Sequence, residues 1–63
     1  MALTDAEWRL AEALAMHKRY GDDAPIQVAE RLGGLAISGD EAGVERWQQI
    51  AVALDGLMRS SRQ

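Results

Sequence analysis

The side chains whose type and grouping could hold a cation or move a proton are the single histidine, His17, and, of ten carboxylates, the clustered set at Asp22, Asp23, Asp40 and Glu41. Hard cations take carboxylate oxygens, and an imidazole titrating near neutrality can act as a base. The spacing argues for a plainer use. Asp22 stands directly behind Gly21 and Asp40 directly behind Gly39. Glycine accepts the left-handed conformation that closes a helix, and the aspartate behind it can accept the orphan amides that open the next one. His17 has no second ligand or nucleophile at a useful spacing, so it reads as a capping or core-edge residue near a helix end, where the dipole favours it. With no nucleophile beside a base and no convergent carboxylates, we assign no catalytic residue, no metal and no cofactor, and do not expect an enzyme. A chain of 63 residues also leaves little room for a small-molecule pocket of ~300 Å³ or more.

The two glycine-aspartate steps cut the chain into three amphipathic helices, expected at about 5–20, 24–37 and 41–59. Thr4 with Glu7 forms a capping box for the first, with Leu3 placed as the staple before the cap, and Gly21 ends it. At 100° per residue Leu3, Ala6, Leu10, Ala13, Leu14 and His17 make one stripe, taken as the core face, opposite Asp5, Glu12 and Arg19. Trp8 falls off that stripe. The second helix starts from Asp22 or Asp23 and tolerates Pro25 in its first turn. Its apolar arc is the widest and implies packing on two sides, with Gly33 or Gly34 admitting a bulky neighbour, Trp47 being the candidate. The third helix, behind Asp40, carries the strongest period: Val44, Trp47, Ile50, Ala51, Leu54, Leu57 and Met58, opposite Glu45, Gln48, Gln49, Asp55 and Arg59. Trp47 is expected to be its central core residue, Val52 to be exposed, and Ser60-Ser61-Arg62-Gln63 to form a frayed tail. Short linkers make successive helices neighbours, so the expected fold is all-α, a compact three-helix bundle forming a single domain over residues 1–63.

Such a small domain has a thin margin of stability, ~3–5 kcal/mol from its core unless something else helps. The absence of cysteine removes disulfides and thiolate metal sites and fits a reducing cytoplasm. No apolar run reaches membrane-spanning length, and Met1 to Glu7 lack a signal-peptide pattern, so a cytoplasmic product with no membrane partner is expected. A net charge of −3 is the wrong sign for affinity built on phosphate neutralisation.

Val28 to Gly33 resembles the first helix of helix-turn-helix DNA-binding domains, and Val44-Glu45-Arg46-Trp47 part of a recognition helix. The helix continues past that glycine, however, and Asp40, Glu41 and Glu45 stand where a groove-reading helix needs basic or amide groups. A nucleic-acid-associated regulator with a degenerate form of this pattern is therefore the alternative reading, not the leading one.

A broader resemblance spans most of the chain: the early Trp8, Gly21-Asp22-Asp23-Ala24-Pro25, Val28 through Ala36, and Gly39-Asp40-Glu41-Ala42-Gly43-Val44-Glu45-Arg46-Trp47-Gln48-Gln49-Ile50-Ala51. In these segments the sequence is similar to a family of short bacterial proteins that form a domain of unknown function. The resemblance implies a histidine immediately before the first Gly-Asp, where this chain has Tyr20. It implies no activity.

The leading expectation is a small non-enzymatic interaction or regulatory module that presents a helical surface to another protein or to a second copy as a homodimer. Trp8, Met16, Ile26, Ile37 and Val52 are the apolar residues that a monomeric core explains least, and they are the candidate surface.

Overall fold

Thr4 opens the first helix as its sequence requires. Its hydroxyl accepts the Glu7 amide at 3.1 Å and the Glu7 carboxylate accepts the Thr4 amide at 3.1 Å, which satisfies two donors reciprocally. The computed structural model describes residues 2–60, with α1 over Asp5–Tyr20, α2 over Ala24–Ile37 and α3 over Glu41–Ser60. Among these residues every regular element is helical. Ser60 closes α3, and the remainder of the expected frayed tail lies outside the described residues.

The expected bundle of three separate helices is not what the chain forms. Gly21–Asp23 is itself a 3-10 turn, so helical backbone runs without a loop from Asp5 to Ile37, bent at the turn, and only α3 stands apart. Gly21 takes φ +58°, which a side chain disfavours, and donates its amide to the His17 carbonyl. Asp23 stays in the right-handed helical region and makes no side-chain cap bond, so the aspartate start expected for α2 is replaced by continuation of the backbone. Pro25 occupies the first turn of α2, where its missing amide costs nothing.

The second junction does break the helix. Gly39, at φ +76°, donates to the Ala36 carbonyl at 3.1 Å, and Asp40 donates to the Leu35 carbonyl at 3.0 Å, the paired bonds of a Schellman stop. Asp40 then starts α3, its side chain accepting the Gly43 amide at 2.9 Å and its carbonyl the Val44 amide at 2.9 Å.

Both limbs of the bent run lean on α3 and touch each other far less. Arg9 bonds Gln49 and Trp8 stacks with Arg46, so α1 and α3 run in the same sense. Arg31 meets Trp47 and Leu35 lies against Gly43, so α2 runs opposite to α3. The Cα trace measures 38 × 31 × 16 Å, a plate rather than a cylinder.

The core is small: Ala13 from α1, Ala24 and Val28 from α2, and Ile50, Leu54 and Met58 from α3. On α3 every residue of the expected stripe is buried or half-buried, and the opposite polar row is exposed. Trp47 is not the centre. It is half-buried and packs on the edge of the cluster beneath the Arg31 guanidinium, while Ile50 is fully enclosed. Nor do the α2 glycines admit it: a β-carbon on Gly33 or Gly34 would meet nothing within 4 Å. The glycine that permits close approach is Gly43, where a β-carbon would lie 3.0 Å from Leu35 Cδ2.

Two further faces depart from the expected scheme. On α1 the row turned toward α3 is Arg9, Glu12, Ala13, Met16, His17 and Tyr20; Leu3, Ala6, Leu10 and Leu14 are left exposed. Hydrophobicity alone favours the leucine row; in the structure Ala13 is enclosed in the core with Met16 and Tyr20 packed against it, and the Arg9 to Gln49 hydrogen bond at 2.7 Å and the Trp8 to Arg46 stack accompany that rotation. On α2 one side packs, through Ala24, Val28, Leu32 and Leu35, and the wide arc through Ala29, Gly33 and Ala36 stays open because no element covers it.

Candidate interaction surface

The outward faces of α1 and α2 follow from the rotations just described. A helix turns 100° per residue, so a row placed against α3 puts the residues half a turn away into solvent. For α1 the exposed face begins at Leu10, about a quarter turn from the packed row, and continues through Leu14 to Glu7, Ala11 and Lys18, which lie farthest from it. Leu10 is 45% and Leu14 41% exposed, large values for leucine at mid-helix, and Leu3 just ahead of the cap is exposed as well. For α2 the outer face carries Ile26, Gly33 and Ile37 around Glu30, and Ile37 is 90% exposed.

The candidate surface residues do not share one location. Trp8 lies at the α1–α3 seam with the Arg46 guanidinium 3.7 Å from its ring centroid, so one face of the indole is covered by its own chain. Met16 is half-buried and packs against the core, which removes it from the surface; as an unbranched, adaptable side chain it fills the edge beside Ala13. Ile26 and Ile37 are exposed at opposite ends of α2, about 16 Å apart along the axis. Val52 projects from α3, 74% exposed. Leu10 and Leu14 were missed because their period matched a core stripe. The signal that separates them is the competing row of Ala13, Met16 and Tyr20, apolar at the same spacing.

Electrostatics on the plate are largely settled internally. Arg9 bonds Gln49, Arg59 pairs with Asp55 at 2.9 Å, and Arg19, Arg31 and Arg46 lie over Tyr20, Trp47 and Trp8. Among the described lysine and arginine side chains Lys18 alone has no ion pair, hydrogen bond or ring contact. The Glu7 carboxyl is held below its ordinary value of 4.5 by the Thr4 backbone amide and, second, by the Thr4 hydroxyl.

Shallow concavities lie between the helices. One, of about 290 Å³, lies at the α1–α3 seam between Asp5, Trp8, Arg9, Glu45 and Arg46. A narrower apolar cleft of about 140 Å³ runs between α2 and α3, floored by Val28, Leu54 and Met58. His17 sits half-buried at the core edge, and among the described residues no three histidine, aspartate or glutamate side chains converge as a metal site would need. Among the same residues no helix is long and apolar enough to cross a membrane.

A family model matches residues 5–62, nearly the whole chain. The protein belongs to a family of unknown function, DUF6961. The resemblance drawn from the Gly-Asp, Val-Ala-Glu-Arg-Leu-Gly and Gly-Val-Glu-Arg-Trp segments agrees with that membership. In this DUF6961 member, the Gly39-Asp40 and Gly43-Val44 segments build the junction between α2 and α3. No curated protein and no solved structure matches the chain.

Proposed function

We propose that this DUF6961 member is a small, non-enzymatic interaction module that presents a helical surface to a protein partner or to a second copy of itself. The observation that carries this reading is the outer face of α1, where Leu10 and Leu14 stand side by side in solvent although a half-buried, partly charged row is used against α3. Adjacent exposed leucines on a regular helix are the kind of anchor that helix-to-helix recognition uses. The chemistry of the chain supports the non-enzymatic part: one histidine, half-buried at the core edge, and carboxylates occupied in capping at Glu7 and Asp40. The cysteine-free composition fits a bacterial cytoplasm. The nucleic-acid alternative has less support, since the described arginines stack on rings or bond carboxylate and amide groups and the net charge is −3.

The test is affinity purification of the tagged protein from its native cell, in parallel with a Leu10→Ser/Leu14→Ser variant. Both substitutions are at exposed positions, so the variant should keep its helical circular dichroism. A protein recovered in fixed ratio with the wild type and lost with the variant supports the reading. Equal recovery with both, or enrichment of nucleic acid instead, overturns it.

A further inference from the structure

We infer that the occupant of the α1 outer face is a second copy of the chain, paired α1 to α1 in antiparallel sense about a twofold axis level with Glu12. This rests on the reading of α1 as the interaction face. Glu7 and Lys18 are eleven residues apart, which returns them to within about 20° of one line along the helix, about 16 Å from each other. Leu10 and Leu14 lie between them along the helix and to one side of that line, Leu14 about 20° and Leu10 about 60° round from Glu7. The midpoint of Leu10 and Leu14 is residue 12, and that of Glu7 and Lys18 falls half a residue further on. One twofold axis therefore places Leu10 against Leu14 of the second copy and, in the same act, Glu7 against Lys18 of the second copy. Each contact occurs twice by symmetry.

The groups needed are available. Lys18 has no partner within its own chain, as described above, and is exposed. Glu7 gives one oxygen to the Thr4 amide and, as a charged carboxylate, keeps a second. Ala11 and Ala15 beside the leucines are exposed and small, which lets two helix axes draw close. A parallel pairing of the same faces would set Glu7 beside Glu7 and Lys18 beside Lys18. Symmetric pairing of the α2 outer faces would cover Glu30 with no cation of that face to meet it. Charge thus selects both the helix and the direction.

The experiment is sedimentation equilibrium across a hundredfold range of concentration, with circular dichroism to verify folding. The wild type should approach a dimer mass as concentration rises. Leu14→Glu should abolish this, and Lys18→Glu should weaken it about tenfold or more by facing Glu7 with a like charge. Glu7→Lys alone should be equally poor, but an equimolar mixture of Glu7→Lys and Lys18→Glu should dimerise, because both cross-contacts again join opposite charges. A wild-type dimer that survives Leu14→Glu and is lost in Ile37→Glu would overturn the α1 pairing and leave an interaction module working through α2. A monomer at every concentration, or no recovery in the mixture, would overturn the second copy as partner. The interaction reading itself would then stand or fall on the purification with Leu10→Ser/Leu14→Ser.

Discussion

The carboxylate of Asp40 accepts the Gly43 amide at 2.9 Å and at the same time lies 2.6 Å from where a β-carbon on Gly43 would stand. The cap of α3 and the absence of a side chain three residues later are thus one device. Asp40 also closes α2, through its amide on the Leu35 carbonyl, and the Leu35 side chain borders the same vacancy at Gly43. The junction joins two antiparallel helices with two residues, Gly39 and Asp40, between the α2 cap and α3.

The glycines should consequently divide in sign. Gly33, Gly34 and Gly56 sit in helix with open space where a β-carbon would go, so alanine at each should stabilise by about 0.5–1 kcal/mol through propensity and unfolded-state entropy. Gly43→Ala should instead destabilise by about 1 kcal/mol or more, because the contact can be relieved only by moving the capping carboxylate or Leu35. Urea denaturation of the four variants checks this, and a stabilised Gly43→Ala would contradict the geometry.

Asp40→Asn should leave stability nearly unchanged, since asparagine caps about as well, while Asp40→Ala should lose ~1 kcal/mol. Thermal unfolding with and without calcium or magnesium separates capping from cation binding. A melting temperature that rises with the cation in the wild type but not in Asp40→Asn would refute the cap as its main role.

Acid should weaken the start of α1 through Glu7. Its carboxyl is depressed below 4.5 in the folded chain, so its contribution is fully present above that value and is lost as pH falls through the lower folded value. Glu7→Gln keeps an oxygen for the Thr4 amide but does not titrate. Melting temperatures measured from neutral pH down to about pH 3 should converge for the two proteins at the acid end. Parallel curves over the whole range would show that Glu7 is not linked to folding.

Ile50→Ala should cost ~2–5 kcal/mol, enough to abolish cooperative unfolding in a domain this small. Trp47→Phe, at the edge of the cluster, should retain a cooperative transition and lose mainly the stack with Arg31. A thermal melt of each variant distinguishes the two positions. The reverse order would return Trp47 to the centre of the core.

Local chemistry makes much of the molecule legible in its sequence. Thr4 with Glu7, Gly39 with Asp40, and the single-period stripe from Val44 to Met58 each depend on neighbours within a few residues, and all three stand in the structure as read. The resemblance to a family of unknown function is also legible in the sequence, and the family model matches residues 5–62. What tertiary structure decided is which way α1 and α2 turn. Two apolar rows compete on α1, Leu10 with Leu14 and Ala13 with Met16 and Tyr20, and periodicity ranks them only by hydrophobicity. The row that packs does so on residues distant in sequence, the Ile50, Leu54 and Met58 side of α3, with Gln49 against Arg9 and Arg46 against Trp8 at its edge. The Gly21 step likewise reads as a stop, yet the chain continues there as a 3-10 turn, with both limbs resting on α3. Caps and periods are properties of the chain next to itself; the rotation of a helix, and with it the face left for a partner, is set by what packs across from it.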